Sequence, residues 1–257
     1  MFNLFSKRPS DPRLRNSFDQ ILNDAEAGNT EAQVGLAEIY AIGAGVEQNL
    51  REAEKWYRRA AEAGHPEAQL ALGNLCAGAP QERRAHSDAV IWYRRAADQG
   101  LKEAQYNLAL MYQTGRGVAL DLAESAKWYR HAAEQGYADA QACLGHLYMT
   151  GKGVEKNIAE ALKWTTHAAI AGSRAGQTNV AALLYGLCKD DPNKGGLLIE
   201  ALMWACIASE GPSVEDEDYV KIRKLREAIA ERLSPEQILE AEKRAHRRKS
   251  MPTAKSG

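Results

Sequence analysis

Two glycine-containing stretches, TGRGV at 114–118 and TGKGV at 150–154, have the residue types that bind phosphate groups. A phosphate-binding loop presents backbone N–H groups from its glycines, followed by lysine and then serine or threonine, and it joins a strand to a helix. Here no strand precedes either stretch, and no GKS or GKT follows. We therefore expect these glycines, with Gly43 and Gly45 of a third stretch, to permit positive φ in turns between helices.

A second candidate for chemistry is a metal site at Cys143 and His146, whose spacing of three residues places both on one helix face. A zinc site needs further ligands, and none has a suitable spacing nearby. The sequence also has no nucleophile elbow, no HExxH motif and no pair of carboxylates spaced for catalysis. We predict that the protein is not an enzyme and that it has no metal or cofactor site.

Composition argues against several other classes of protein. The chain has 33 Lys and Arg residues against 34 Asp and Glu residues, so its net charge of −1 gives no overall attraction for nucleic acids or anionic membranes. No stretch approaches the roughly 20 apolar residues of a membrane helix, and residues 1–15 lack the apolar region of a secretory signal. The four cysteines are far apart without a CxxC pair, which is typical of reduced thiols. We expect a cytoplasmic protein.

The chain is organised as a repeat of 36 residues, which must position the glycines, Cys143 and His146 named above. Tryptophan and glycine mark the step, as Trp56, Trp92, Trp128 and Trp164 and as Gly28, Gly64, Gly100, Gly136 and Gly172. A fixed period of this length indicates a solenoid. Within each period the apolar spacing predicts two helices. Helix A is exemplified by KEAQYNLALMYQTG and helix B by DLAESAKWYRHAAEQG.

The ends and the core of these helices also have sequence signals. Asn49, Asp121 and Asn157 each stand three residues before a glutamate, which predicts a capping box at the start of helix B. Gly136 predicts a left-handed residue at its end. The tryptophans are predicted to be core residues, because burying one removes about 150–250 Å² from water. Replacing Trp128 with alanine is then expected to cost about 3–5 kcal/mol.

The repeated positions resemble the Sel1-like repeat family, whose members are short relatives of the tetratricopeptide repeat. In one period the matching residues are Ser125, Trp128, Tyr129, Ala132, Ala133, Gly136, Ala140, Gln141, Leu144, Gly145, Tyr148, Gly151, Gly153 and Val154. The resemblance covers about residues 20–210, most of the chain. It implies an all-α fold, namely a right-handed α-solenoid of 36-residue helix–turn–helix repeats with a curved binding surface. It also implies a role as an adaptor or scaffold.

Three regions depart from the repeat. The second period has CAGAPQERRAH in place of a GxGV turn, which predicts a different loop path with Arg83 and Arg84 exposed. The fifth period is degenerate, and from residue 212 the pattern changes, with Ser234 and Gln237 as a predicted capping box. One elongated domain is predicted, in four parts: 1–17 as an N-terminal extension and the start of a capping helix, 18–211 as the solenoid of about five repeats, 212–248 as a C-terminal helical cap, and 249–257 as a flexible tail.

Basic residues of helix B suggest an alternative function. They recur in register as Arg58, Arg59, Arg94, Arg95, Arg130 and His131, next to Lys55, Lys127 and Lys163. Such a face, together with the C-terminal KRAHRRK, could contact phosphates and make the protein a nucleic-acid-binding module. Acidic residues interleave the basic ones, however, and such a pattern is typical of a solvated face with salt bridges.

The helix A positions that vary between repeats predict a binding surface. One series is Val34, Leu70, Tyr106 and Ala142, and the second, four residues later in each repeat, is Glu38, Asn74, Leu110 and His146. Residues four apart share one helix face. If helix A lines the concave side, as in related solenoids, these residues form the floor of a groove. They could equally be no more than solvent-facing positions.

The leading hypothesis is therefore a non-catalytic adaptor that holds an unidentified protein or peptide in this groove. Tyr106 and Leu110 would be the exposed anchors at its centre, because interface hot spots favour aromatic residues surrounded by near-neutral contacts. An inhibitor or immunity-type protein is a narrower form of this hypothesis, which nothing in the sequence selects.

Overall fold

The computed structural model describes residues 12–78, 83–188, 194–210 and 217–250, and all regular secondary structure in these stretches is helical. The described helices number thirteen, and none of them combines the length and hydropathy needed to cross a membrane. The predicted all-α fold is thus confirmed. The loop with the predicted exposure of Arg83 and Arg84 lies, with those two side chains, outside the described residues.

The chain divides into two compact units, which we describe separately. Unit 1 is Met1–Asp121 and unit 2 is Leu122–Gly257. This division falls between a helix A and the helix B that follows it. It therefore coincides with none of the predicted boundaries at residues 17, 211 and 248, which stay predictions.

The helices alternate between the two predicted types. In unit 1, the helices of type B are α1 (Pro12–Glu26), α3 (Leu50–Glu62) and α5 (Arg83–Asp98), and those of type A are α2 (Thr30–Ile42), α4 (Pro66–Ala77) and α6 (Lys102–Thr114). In unit 2, type B comprises α7 (Leu122–Glu134), α9 (Ile158–Ile170) and α11 (Gly195–Ala208), and type A comprises α8 (Ala138–Thr150) and α10 (Arg174–Cys188). Two further helices, α12 (Glu217–Ala230) and α13 (Pro235–Lys249), follow in unit 2.

A buried glutamine joins each of the first four helices of type A to the helix B before it. Gln33, Gln69, Gln105 and Gln141 are 4–7% exposed. Their Nε2 atoms donate to the carbonyl oxygens of Ala25, Ala61, Ala97 and Ala133, at 3.0, 3.1, 3.2 and 3.0 Å. A polar group buried without a partner is costly, whereas one that is bonded holds its partner in place. The repeated Ala–Gln pair therefore fixes how closely two successive helices pack.

Replacing Gln141 with alanine is expected to lower the free energy of unfolding by about 1–3 kcal/mol, because it removes a buried hydrogen bond and its packing. The exposed Glu134, the last residue of α7, is the control. Its replacement with alanine is expected to change stability by less than about 0.5 kcal/mol. Urea unfolding of both variants measures the difference. Equal effects would show that the buried amide is not what joins the helices.

The glycines at the ends of helix B and the N-caps Asn49 and Asn157 are as predicted, but neither N-cap forms the predicted capping box. Gly28, Gly64, Gly100, Gly136 and Gly172 all have positive φ, between 80° and 100°. The side chain of Asn49 caps α3 by accepting from Glu52 N at 3.2 Å, and Asn157 does the same for α9. The backbone N–H of Asn49, however, donates to Tyr40 O of the preceding helix A at 2.8 Å. The glutamate is therefore not needed to satisfy that N–H, whereas Ser234 and Gln237 form the complete capping box predicted for α13.

Terminal helices cover the apolar ends of both units. In unit 1, Phe18, Leu22 and Ala25 of α1 pack against Leu36 and Ala37 of α2. In unit 2, α12 and α13 contribute buried side chains to the cluster around α11: Ile229, Ala241 and Ala245, with Leu202 and Trp204. Each terminal helix thus buries apolar surface that the adjacent repeat would otherwise expose.

The tryptophan series is buried as predicted at most positions. Trp56, Trp92, Trp164 and Trp204 are 2–8% exposed. Trp128 is only partly buried, so it fits the predicted core position less well than the other tryptophans do. It also makes a ring contact with His131 on its own helix, with the ring centroids 5.6 Å apart.

Candidate functional site

The predicted binding residues of unit 1 lie on three neighbouring helices of type A. We call this surface the α2–α4–α6 face and define it by Val34, Glu38, Leu70, Asn74, Tyr106 and Leu110. Polar contacts join the helices. The His65 ring, at the start of α4, lies 3.1 Å from Glu31 of α2, and Asn107 of α6 donates to Asn74 of α4 at 3.1 Å.

The exposure of these side chains varies along the face. Glu38, Asn74 and Leu110 are exposed, and Leu110 retains 38% of its accessible surface. Val34, Leu70 and Tyr106 are partly buried. Val34 also packs against the core cluster around Leu72. The apolar part that a partner could contact is therefore centred on α6.

Asn74 has a structural role in addition to its exposure. Its Oδ1 accepts from Tyr93 Oη at 2.8 Å and from Asn107 Nδ2 at 3.1 Å. Burial raises the pKa of Tyr93 to about 12, so the phenol keeps its proton and remains a donor at neutral pH. Asn74 therefore links α4 with α5 and α6, and it positions this face rather than serving as a free contact.

The prediction for unit 2 is wrong at Ala142. This residue is 1% exposed, and its carbonyl accepts from Asn179 Nδ2 of α10 at 3.3 Å. Since α10 covers it, Ala142 presents no side chain to a partner. His146, the other predicted residue of α8, is partly buried. Its pKa is lowered mainly by this burial and to a smaller extent by the positive charge of Lys152.

The candidate metal pair next to these residues is poorly suited to its role. Burial raises the pKa of Cys143 to about 11, whereas a metal ligand must be a thiolate. Within the part of the chain that the structure describes, no three His, Cys, Asp or Glu side chains cluster where they could hold a metal ion.

The basic residues of helix B make contacts within the chain. Three arginines donate hydrogen bonds: Arg58 to Glu54, Arg94 to the Tyr112 hydroxyl and Arg130 to the Tyr148 hydroxyl. Three lysines form ion pairs with a glutamate three residues earlier on the same helix, as Lys55 with Glu52, Lys127 with Glu124 and Lys163 with Glu160. Arg59 and Arg95 lie over the Trp56 and Trp92 rings at 4.8 and 4.7 Å. At the C-terminus, Arg248 lies 4.5 Å over the Trp204 ring and Lys249 pairs with Glu210. The nucleic-acid alternative finds no support here, because these cations already have partners.

Sequence reasoning missed a cleft of about 550 Å³ in unit 1, which lies between α1 and α3 at the end of α2. We call it the α1–α3 cleft. Its apolar lining comes from Leu22, Tyr40 and Trp56, and charged side chains of α1 and α3 surround these. A signal was present in the repeat: position 22 holds leucine where the next three periods hold arginine, at 58, 94 and 130.

Comparisons with known proteins agree with the repeat and with the fold. A model of the Sel1 repeat matches residues 30–65, 66–101, 102–137 and 138–173. A Sel1 repeat protein from Oxalobacter formigenes is similar in structure, with 30% identity, a TM-score of 0.62, and coverage of 74% of this chain and 79% of that one.

A protective antigen with an SLR fold from uropathogenic Escherichia coli is also similar, with 25% identity and a TM-score of 0.55. The alignment covers 94% of this chain and 58% of that antigen. A search among curated proteins found no match. The four family matches span more than half of the residues and confirm the predicted solenoid of 36-residue repeats. The chain belongs to the Sel1 repeat family.

Proposed function

We propose that this protein is a non-catalytic scaffold that binds a partner protein or peptide on the α2–α4–α6 face. Sel1 repeat proteins generally mediate protein–protein interactions, and the repeat is generally a non-catalytic scaffold. The proposal places the protein in the cytoplasm. All four cysteines are free, and this is usual for proteins of a reducing compartment.

The observation that carries this proposal is the pair Tyr106 and Leu110 on α6. Leu110 is exposed and Tyr106 partly so, one helical turn apart, and Leu70 stands at the position equivalent to Tyr106 on the neighbouring helix α4. Acidic side chains at the helix starts, such as Glu67 and Glu103, border the apolar residues. An apolar centre with a polar rim is the usual anatomy of a protein interface.

Replacing both Tyr106 and Leu110 with alanine is expected to weaken partner binding by at least about 30-fold, because truncating a hot-spot residue costs about 2 kcal/mol or more. The partner is first captured by affinity purification from the native cell with the wild-type chain. Its affinity for wild type and variant is then measured with purified proteins by calorimetry.

The matched control replaces Ile91 and Leu120 with alanine. Both are exposed apolar residues of unit 1, at 49% and 63%, and both lie outside the α2–α4–α6 face. This variant is expected to bind as wild type does. If the two double variants bind the partner equally well, the partner does not use Tyr106 and Leu110. Circular dichroism confirms beforehand that both variants are folded.

A further inference from the structure

Charge is divided unevenly between the two types of helix in unit 1. The helices of type A, α2, α4 and α6, contain one cation, Lys102, and four carboxylates, Glu31, Glu38, Glu67 and Glu103. The type B helix α3 has four Lys and Arg residues against three Glu residues, and α5 has four Arg residues against two Asp residues. The chain is nearly neutral as a whole, but the helices that form the α2–α4–α6 face are acidic.

Three of these carboxylates stand at the helix starts, where the helix dipole favours a negative charge. Each lies three residues before a residue of the α2–α4–α6 face and therefore on the same side of its helix. The ring of His65 lies 3.1 Å from the carboxylate of Glu31 and 3.1 Å from that of Glu67. Glu103 has no ion-pair partner among the described side chains. A negative charge on α6 is thus available beside the apolar residues.

Glu38 is the carboxylate that the helix dipole does not explain, because it lies in the second half of α2. It is exposed and has no ion-pair partner among the side chains that the structure describes. Burial, and then the negative charge of Glu38, raise the pKa of Tyr57 on α3. The charge of Glu38 therefore disfavours a second negative charge nearby, and no cation of the chain offsets it.

The cations nearest to this face do not cancel its charge. Arg116, just after α6, donates to the carbonyl oxygen of Ala77 at 3.2 Å and lies 2.9 Å from Nε2 of His86. Lys102 is the first residue of α6 and is partly buried. Glu38 and Glu103 lie on α2 and α6, the two helices that α4 contacts. The apolar centre of the face therefore has an unpaired carboxylate on each of its two outer helices.

We propose that the α2–α4–α6 face binds a segment of a partner protein in which lysine or arginine side chains flank an apolar one. The apolar side chain contacts Leu70 and Leu110, and the cations lie near Glu38 and Glu103. Charge complementarity of this kind speeds association and excludes acidic partners more than it raises affinity. The inference rests on the function proposed above and adds the chemistry of the partner.

The first test uses the full-length chain and the peptide acetyl-GKLKLKG-amide, with the backbone amide signals of Leu70 and Leu110 followed by NMR. We expect saturable shifts of these signals that weaken as the salt concentration rises. Two matched peptides have glutamine or glutamate in place of lysine, and both are expected to bind at least about tenfold more weakly. Equal binding of the three peptides, or shifts confined to other helices, would overturn the proposal.

The second test removes the two unpaired carboxylates. The variant Glu38→Gln, Glu103→Gln keeps nearly the same shape and is expected to bind the lysine peptide at least about fivefold more weakly, because each exposed ion pair contributes modestly. The matched control, Glu26→Gln with Glu62→Gln, removes the same charge from exposed residues of α1 and α3. It is expected to change the affinity by less than about twofold. Equal losses in the two variants would show that only the overall charge matters, which overturns the proposal.

The captured partner separates this inference from the proposed function. If it binds the Tyr106→Ala, Leu110→Ala variant as tightly as wild type, the function proposed for this face fails, and the inference fails with it. If that variant loses affinity but Glu38→Gln, Glu103→Gln does not, the face is used without its carboxylates and the inference alone is overturned. We expect both variants to lose affinity for the partner.

Discussion

Replacing Gly153 with alanine is expected to lower the free energy of unfolding by about 3–5 kcal/mol. Gly153 has φ of +73°, where a side chain costs about 1–2 kcal/mol. A Cβ atom there would also lie 2.2 Å from the carbonyl oxygen of Leu122, at the start of α7. Because that oxygen belongs to the backbone, the helix itself must shift, and such overpacking adds about 1–3 kcal/mol.

Gly172 provides the matched control in the same unit. Its φ is +91°, and a Cβ atom there would meet nothing within 4 Å. Gly172→Ala is expected to cost only the conformational strain of about 1–2 kcal/mol. Urea unfolding followed by circular dichroism measures both variants. If they lose the same stability, the close approach to Leu122 contributes nothing and the glycine is needed only for its φ.

These glycines show how far the sequence alone can predict the turns. The pattern GxGV, without a strand before it or GKS after it, correctly predicted positive φ at Gly151 and Gly153. It could not predict that Gly153 packs against a backbone carbonyl 31 residues earlier in the chain. That contact depends on the distance between two helices, and the distance depends on packing that no local pattern records.

The α2–α4–α6 face shows the same limit. Periodicity predicted which positions share one face of helix A, and Leu110 is exposed there. It failed at Ala142, because periodicity does not record how deeply the next helix covers a position, and α10 covers this one. Periodicity also could not show that Asn74 accepts two hydrogen bonds, because one donor lies 19 residues and the other 33 residues further along the chain. The leucine at position 22, where later periods have arginine, was visible in the repeat. The sequence could not show, however, that Leu22 and Tyr40 line one cleft.

Replacing Trp204 with alanine is expected to lower the free energy of unfolding by about 3–5 kcal/mol. Trp204 is 2% exposed in the core cluster of unit 2 that joins α11 to α12 and α13. Truncation leaves a cavity that a packed interior fills only in part. It also removes the ring under the Arg248 guanidinium, which lies 4.5 Å away on α13.

Trp128→Ala, in the same unit, is the comparison that tests burial as the cause. Trp128 is only partly buried, so less apolar surface and less packing are lost, and we expect a cost below about 3 kcal/mol. Far-UV circular dichroism in urea measures both variants without depending on the tryptophan signal that is removed. A larger loss for Trp128→Ala than for Trp204→Ala would mean that the regular tryptophan series, rather than the cap around α11, dominates the stability of unit 2. A larger loss for Trp204→Ala would mean that the last, irregular repeat depends on α12 and α13 for its stability. Eight side chains of α11, Trp204 among them, are buried, and without these two helices part of that apolar surface would face water.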